Sequence, residues 1–214
     1  MNFLTDKIGG IKMAKVQEIT VWGSGVVQDK EARDVAQCIA AAASREGKYV
    51  QAFDNYVDLP DRVNVPVRKY ARISDSEIEE KYLYENHSPE ISIVIQATLV
   101  KGVNVLKGME KGGYLIVNTD KSPDYIEKFL PNKDILKAIG TIDASKLGAK
   151  ATIDFSATEG GTSAVGIGAG LGAIMAGAAA RVSNCVKLES LFLEVTDPEA
   201  AKHGFEGVTI KQLK

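Results

Sequence analysis

The fold is decided by the stretch from Val16 to Asn55, which reads VQEITVWGSGVVQDKEARDVAQCIAAAASREGKYVQAFDN. A run of strand-forming residues comes first, followed by two glycines, an alanine-rich helical pattern and a second apolar run. Gly23 and Gly25 free the backbone at the end of the first strand, as in the strand–turn–helix unit with which many α/β proteins begin. In doubly wound sheets this edge binds ligands, often with a phosphate on the amides of the next helix. A dinucleotide fingerprint, however, would place a third glycine where this chain has Gln28.

The same alternation of strands and helices continues along the chain and predicts a single doubly wound α/β domain. Its sheet should be mainly parallel, with helices on both faces. The predicted strands are Glu18–Trp22, Tyr49–Phe53, Val67–Ile73, Ile91–Gln96, Tyr114–Asn118 and Ala138–Ile142. The predicted helices are Lys30–Arg45, Leu99–Met109 (with a helix end over Lys107–Gly113) and a short one opening at Ser122 and Pro123. We expect residues 1–15 to be an N-terminal extension, residues 16–214 to be the domain, and the charged segment Ser74–Pro89 to be solvent-exposed.

Two further segments are expected at the rim that carries the glycine turn. The polar loop Asp54–Pro66 follows a strand end directly, so it should lie at the same edge of the sheet. A second segment around Glu159 precedes a helix of small residues, where it could cap that helix and present amides to an anion. The candidate rim residues are Gly23, Ser24, Gly25, Gln28, Asn55, Tyr56, Arg62, Glu159, Gly160, Gly161 and Thr162.

The segment Thr158–Val182 is long, uncharged over most of its length and dominated by glycine and alanine. Its length alone would allow a membrane-spanning helix. Large aliphatic residues are scarce, however, and no aromatic belt or lysine-rich flank brackets it, so we expect no membrane insertion. Small residues instead allow close approach of another backbone, in this protein or in a partner. We expect the helix to pack against a neighbouring subunit.

Composition excludes several classes of function. The formal net charge of −2 and the absence of a basic cluster with interleaved aromatic residues give no reason to expect nucleic-acid binding. The two cysteines, Cys38 and Cys185, lie far apart, so this chain cannot build an iron–sulfur cluster or a cysteine zinc site. His87 and His203 are isolated, and we expect no metal at either. Cys38 falls on the alanine-rich face of the first helix, where a small core residue is expected. The sequence shows no secretory leader, so we expect a cytoplasmic protein.

Catalytic motifs for other enzyme classes are missing or incomplete. The sequence has no P-loop and no Gly-x-Ser-x-Gly elbow, which argues against a P-loop nucleotidase and a serine hydrolase. A nicotinamide-dependent oxidoreductase stays open as an alternative. In that case Gly23–Gly25 would approach the pyrophosphate and Asp54, at the end of the second strand, would bind the ribose.

Several short segments, in this order, resemble one particular family. They are Gly47–Phe53, the proline-containing loop, Pro66–Arg68 with Arg72 and Ile73, Ile116–Thr119, and Thr141–Ala144. Together with the strand–glycine turn–helix unit, they resemble the gamma subunit of 2-oxoacid:ferredoxin oxidoreductases, which include the pyruvate and 2-oxoisovalerate enzymes. The resemblance runs from about Val16 to the small-residue helix.

This resemblance implies a non-redox helper subunit in a complex that oxidatively decarboxylates a 2-oxoacid and passes electrons to ferredoxin. Thiamine diphosphate, Mg and [4Fe-4S] clusters would lie in the alpha, beta and delta subunits or domains, and this chain alone would bind no cofactor. Its own lack of a ferredoxin cysteine array and of a Gly-Asp-Gly thiamine-diphosphate signature agrees with that division of labour. No catalytic residue is assigned to this chain.

Two departures from the family pattern bear on coenzyme A. The family turn reads Gly-x-Gly-Gly-Gln-Gly, whereas this chain has Val26 and Val27 after Gly25, with the glutamine displaced to Gln28. The following loop usually carries Glu-Arg-Arg-Gly, and here it reads Asp61–Asn64. Branched side chains hinder the approach of a phosphate to the backbone, so we expect weak or absent coenzyme A binding. Oxalate, which leaves no acyl group, is a candidate substrate. A purely structural interaction subunit is a further alternative.

Overall fold

The computed structural model of the protein describes residues 15–55, 65–146 and 170–213. The strands in these residues are β1 Val16–Ser24, β2 Tyr49–Asp54, β3 Pro66–Ser74, β4 Ile91–Val94, β5 Gly113–Asn118, β6 Leu136–Ile142 and β7 Thr209–Gln212. The helices are α1 Gly25–Arg45, α2 Leu99–Gly102, α3 Pro123–Glu127, α4 Leu171–Ser183, α5 Leu188–Phe192 and α6 Pro198–Gly207. All six predicted strands are present, with ends that shift by one or two residues.

The described strands form one sheet in the order β2-β3-β1-β4-β5-β6-β7. β1, β4, β5 and β6 are mutually parallel, and β2 points the same way because it pairs antiparallel with β3, which is itself antiparallel to β1. β7 pairs antiparallel with β6. Five of these seven strands therefore share one direction, and the prediction of a mainly parallel doubly wound sheet is confirmed. The reversal at β3 and the whole of β7 were not predicted.

Helices cover both faces of the sheet, as predicted. On one face α1, α4, α5 and α6 pack over a core that includes Ile19, Val21 and Ile93. On the other face α2 and α3 enclose a smaller core with Trp22 and Leu115. Alternate residues of β1 thus point to opposite cores, as strand geometry requires. Cys38 is fully buried in the larger core, which confirms its predicted place.

The described part of the small-residue helix, Leu171–Ser183, packs inside this chain, which corrects the expectation of a neighbouring subunit for this part; residues 158–169 lie outside the described residues. Of α4's residues, all but Leu171 and Arg181 are buried, mainly against α6 and α1. A Cβ added to Gly177 would lie 1.9 Å from the carbonyl oxygen of Ala201, and one added to Gly204 would lie 1.9 Å from that of Ile174. Glycine therefore lets α4 and α6 approach at backbone distance. No helix of the described residues is long and apolar enough to cross a membrane.

The predicted helix over Leu99–Met109 is wrong beyond its first turn. α2 ends at Gly102, and Val103 is extended at φ −135° and ψ 156°. The Asn104 side chain then accepts a hydrogen bond from the Leu106 amide, which holds a turn in place of a helix. Gly108 adopts φ +80°, where a Cβ would lie 2.1 Å from the carbonyl oxygen of His87.

The segment Ser74–Pro89 is only partly the exposed excursion that was expected. Tyr82 and Tyr84 are almost fully exposed. Glu80, however, accepts a hydrogen bond from Arg72 of β3, and the Asn86 amide donates to the carbonyl oxygen of Ile19 in β1. The segment is therefore tied across the second face of the sheet, beside the smaller core.

Candidate functional site at the carboxyl edge of the sheet

The carboxyl ends of β1 and β4 lie side by side and form the switch point of the sheet. β1 leads into α1 on one face, whereas β4 leads into α2 on the other. The diverging connections leave a crevice between these strand ends, which is the usual ligand position in open α/β sheets. The predicted rim residues Gly23, Ser24, Gly25 and Gln28 are all at this crevice.

The backbone amides of the glycine turn already have partners within the chain. The Ser24 amide donates to Oε1 of Gln28 at 3.1 Å, and the Gly25 amide donates to the carbonyl oxygen of Val65 at 2.9 Å. Local geometry also explains both glycines: Gly25 has φ +64°, and a Cβ on Gly23 would lie 3.0 Å from the carbonyl oxygen of Gln28. The conformation of the turn itself therefore requires both glycines, and the amides of Ser24 and Gly25 already donate hydrogen bonds within the chain.

A hydrogen bond between two glutamines spans the crevice. Gln28 Nε2 donates to Gln96 Oε1 at 2.7 Å, so the side chain that accepts from Ser24 also joins α1 to the end of β4. Sequence reasoning placed Gln96 inside a predicted strand and missed this role. A polar residue directly after the buried run of β4 was the available signal.

Four charged residues form a closed network beside the turn, on the α1 side. The ammonium of Lys69 in β3 lies 2.7 Å from Asp29 and 3.1 Å from Asp54, and its side chain is only 4% exposed. Arg33 contacts the same two carboxylates at 2.8 and 2.9 Å. Two positive charges thus balance two negative ones. Sequence analysis did not single out Arg33 or Lys69.

This network changes the interpretation of Asp54. A ribose-binding acid stands on the strand next to β1 in a dinucleotide-binding sheet. Here β3 lies between β1 and β2, which places Asp54 two strand spacings, about 10 Å, from β1. Its carboxylate is also held by Arg33 and Lys69. The prediction that Asp54 could bind a ribose beside Gly23–Gly25 does not fit this geometry.

The remaining predicted rim residues divide into two groups. Asn55 follows β2 and donates its amide to the carbonyl oxygen of Arg68 at 3.0 Å, so it lies at the predicted edge of the sheet. Tyr56, Arg62, Glu159, Gly160, Gly161 and Thr162 lie outside the described residues.

A second polar clamp, also missed from the sequence, holds the ends of the next strands. Asn118 at the end of β5 donates to the carbonyl oxygen of Ile95 at 3.0 Å and to the Ser145 hydroxyl at 2.9 Å. Its Oδ1 accepts the Ala144 amide at 2.9 Å. This side chain therefore fixes the ends of β4, β5 and β6 against one another.

The described residues offer little for redox or metal chemistry. No group of three or more His, Cys, Asp or Glu side chains among them could hold a metal ion. Burial raises the pKa of the Cys38 thiol to about 12 and that of Cys185 to about 11, so both are protonated near neutral pH. The protein is therefore a doubly wound α/β domain in which side chains at the rim form hydrogen bonds and ion pairs with one another.

Comparison with known proteins places this architecture in a family. Residues 34–204 match the model of the pyruvate ferredoxin/flavodoxin oxidoreductase family. The chain is 34% identical over 173 residues to the pyruvate/ketoisovalerate oxidoreductases common subunit gamma of Thermococcus kodakarensis, covering 80% of this chain and 79% of that protein. The subunit of the same name from Pyrococcus abyssi is 30% identical over 189 residues, which is 83% of this chain and 91% of that one.

A solved structure supports the same assignment. The pyruvate oxidoreductase subunit PORC of Thermotoga maritima superposes with a TM-score of 0.68 at 27% identity, covering 92% of this chain and 99% of that one. This chain belongs to the pyruvate ferredoxin/flavodoxin oxidoreductase family and is similar over most of its length to the gamma-type subunits. The resemblance seen in the sequence is confirmed.

Proposed function

We propose that this chain is the non-redox gamma subunit of a complex that oxidatively decarboxylates a small 2-oxoacid and passes the electrons to ferredoxin. The similarity to gamma subunits over about four fifths of the chain carries the proposal. Alpha, beta and delta subunits or domains would supply thiamine diphosphate, Mg and [4Fe-4S] clusters. The two cysteines of this chain are too few for one such cluster, which needs about four thiolates. Because such clusters need reducing conditions, the proposal includes a cytoplasmic location.

The rim geometry supports a second part of the proposal, namely that the β1–α1 turn does not grip coenzyme A. A phosphate at a helix N-terminus is bound by free backbone amides. Here the Ser24 amide is taken by Gln28 and the Gly25 amide by Val65. An incoming phosphate would have to displace both acceptors, and the displaced groups would lose their own hydrogen bonds.

A substrate that leaves no acyl group fits such a turn, and we propose oxalate as that substrate. Oxidation of oxalate breaks the carbon–carbon bond and gives two carbon dioxide molecules and two electrons. Pyruvate, by contrast, leaves an acetyl group that needs an acceptor such as coenzyme A. Both reactions deliver two electrons to the clusters, so the two substrates differ in their need for an acyl acceptor.

Substrate tests on the intact complex examine this proposal. The complex would be purified anaerobically through a tag on this chain, and ferredoxin reduction measured with oxalate, pyruvate and 2-oxoisovalerate, each with and without coenzyme A. We expect co-purifying brown subunits and oxalate-dependent reduction that coenzyme A does not change. Activity restricted to pyruvate or 2-oxoisovalerate with coenzyme A would overturn the oxalate assignment. A colourless chain that purifies alone would overturn the subunit assignment.

The rim loop offers a further test of what this subunit contributes. In the proposal, Arg62 supplies a cation to the edge of the active site. Arg62→Ala should then lower kcat/KM of the complex at least tenfold, whereas Arg45→Ala, which removes a surface ion pair with Glu194, should leave it unchanged. Equal activity of both variants would favour a purely structural role for the chain.

A further inference from the structure

A small polar cavity lies on the second face of the sheet, opposite the face that α1 covers. It has a volume of about 120 Å³, which is ample for a small organic acid. Its lining includes Trp22 of β1, Tyr70 of β3 and residues 85–87. Lys107 lies at its edge.

Polar atoms without partners are concentrated around this cavity. Across the described residues, five buried side-chain nitrogen or oxygen atoms form no hydrogen bond. Three of them belong to cavity residues: Trp22 Nε1, Asn86 Oδ1 and the Tyr70 hydroxyl, which has the Asn55 side chain close by. A buried polar atom without a hydrogen bond is destabilising, and a ligand that supplies the bond removes this cost. Buried polar groups normally have hydrogen-bond partners, so these atoms are suited to donate to or accept from a polar ligand.

The charged residues of the cavity favour an anion as that ligand. The Arg68 guanidinium lies 5.5 Å from the centroid of Trp22 and 2.9 Å from Glu85 Oε2. The Lys107 ammonium lies 3.8 Å from the same oxygen, and its side chain is 65% exposed. Among the described residues, these two cations thus share one carboxylate. Glu85 also shows that this pair of cations accepts a carboxylate.

We propose that this cavity binds a carboxylate, which pairs with Arg68 and Lys107 and accepts hydrogen bonds from Trp22 Nε1 and the Tyr70 hydroxyl. Trp22 Nε1 is buried and the Arg68 guanidinium lies over the indole ring, so the proposal includes a movement of this guanidinium on binding. Asn86 Oδ1 is an acceptor and takes a water or a hydroxyl of the ligand. Burial raises the pKa of Tyr70, which keeps the phenol protonated as a donor.

The carboxylate has two possible sources, a free small organic acid or an Asp or Glu side chain of a partner subunit. Both present the same group to Arg68 and Lys107, and only the second requires an assembled complex. The free-acid arm of the test below needs this chain alone, so it is independent of the proposed function.

The composition supplies a probe for this cavity, because Trp22 is the only tryptophan of the chain. Labelling with 5-fluorotryptophan gives a single ¹⁹F resonance that reports on the cavity, in the full chain and after its incorporation into the complex. The chain would be titrated with acetate and oxalate, and with acetamide as a neutral molecule of similar shape. The variants are Arg68→Gln and Lys107→Gln, and Lys133→Gln is the charge-matched control outside the cavity.

We expect a saturable shift of the resonance with the carboxylates and none with acetamide. Lys107→Gln and Arg68→Gln should each weaken binding at least fivefold, whereas Lys133→Gln should leave it unchanged. Lys107 is exposed, so its variant remains informative even if Arg68→Gln fails to fold. Saturation that persists in the complex identifies a free acid as the ligand. Saturation that disappears there, together with a shift on assembly alone, identifies a partner side chain. A linear response, or equal responses in all variants, would overturn the proposal.

Discussion

Replacing Gln28 by alanine tests whether internal hydrogen bonds keep anions from the glycine turn. The side chain makes two hydrogen bonds, one from the Ser24 amide and one to Gln96. At about 0.5–1.5 kcal/mol each, their loss should lower the free energy of unfolding by about 2 kcal/mol. For a chain of this length, that corresponds to a fall in Tm of about 4–8 °C. The change also frees the Ser24 amide at the N-terminus of α1.

The freed amide should bind an anionic ligand more tightly. A hydrogen bond to a charged group contributes about 1.5–3 kcal/mol, so affinity for coenzyme A should rise by about tenfold or more in Gln28→Ala. Gln28→Glu is the matched variant, because it keeps an acceptor for Ser24 and adds a negative charge, and it should show no gain. Calorimetric titration of the intact complex measures both. Tight binding by the unchanged protein that is lost in Gln28→Ala would refute the reasoning and make Gln28 a coenzyme A ligand.

Three further predictions concern packing and charge. Gly177→Ala should lower the free energy of unfolding by about 1–3 kcal/mol, because its Cβ would meet a backbone carbonyl of α6. Gly102→Ala, which has open space around it, should leave that free energy unchanged, and urea unfolding measures both variants. Lys69→Met should lower the free energy of unfolding by about 1–3 kcal/mol, because two partly exposed carboxylates are left to one arginine, and an unchanged stability would contradict the network. The pKa values of Cys38 and Cys185 are raised in the folded protein, so the unfolded chain loses its thiol protons at lower pH than the folded one. The free energy of unfolding should therefore hold below about pH 9 and fall above it. Urea midpoints measured from pH 7 to 11 should show this fall, and exchanging both cysteines for alanine should flatten it.

Local patterns in the sequence were sufficient to predict most strands and helices, but they did not predict how distant segments pair. The apolar runs located six strands, and the glycines located the β1–α1 turn. The insertion of β3 between β1 and β2 is a matter of non-local pairing, although the short connection gave a hint. Only eleven residues, 55–65, join β2 to β3, and a parallel crossover needs a dozen or more. β7 is four residues long and three of them are polar, so it carries no strand signal of its own.

The candidate site was predicted in position but not in its chemistry. Gly23, Gly25, Gln28 and Asn55 all lie at the expected edge because the ends of parallel strands meet there. Their partners Gln96 and Val65 could not be identified from the sequence, since neither is near them along the chain. The small-residue helix shows the same limit. Its composition predicted a close backbone contact, and only the tertiary structure shows that α6 of the same chain makes it.

The departures of the sequence from the family pattern and the hydrogen bonds of the structure both concern the access of a phosphate to the backbone of the turn. In the family pattern, glycines after the second one leave room for a phosphate to reach the backbone. In this chain those glycines are replaced, and the displaced Gln28 supplies an oxygen to one of the amides that a phosphate would use. Because Gln28 supplies the oxygen that a phosphate would otherwise present to the Ser24 amide, the turn no longer needs the glycines that let a phosphate approach. Restoring the family turn therefore requires several changes together, because the later family glycines stand where this chain has Val26 and Gln28, and the family glutamine stands where it has Val27. We expect Gln28→Gly combined with Val26→Gly and Val27→Gln to bind coenzyme A more tightly than Gln28→Ala alone, and equal affinities would show that the two valines do not obstruct the turn.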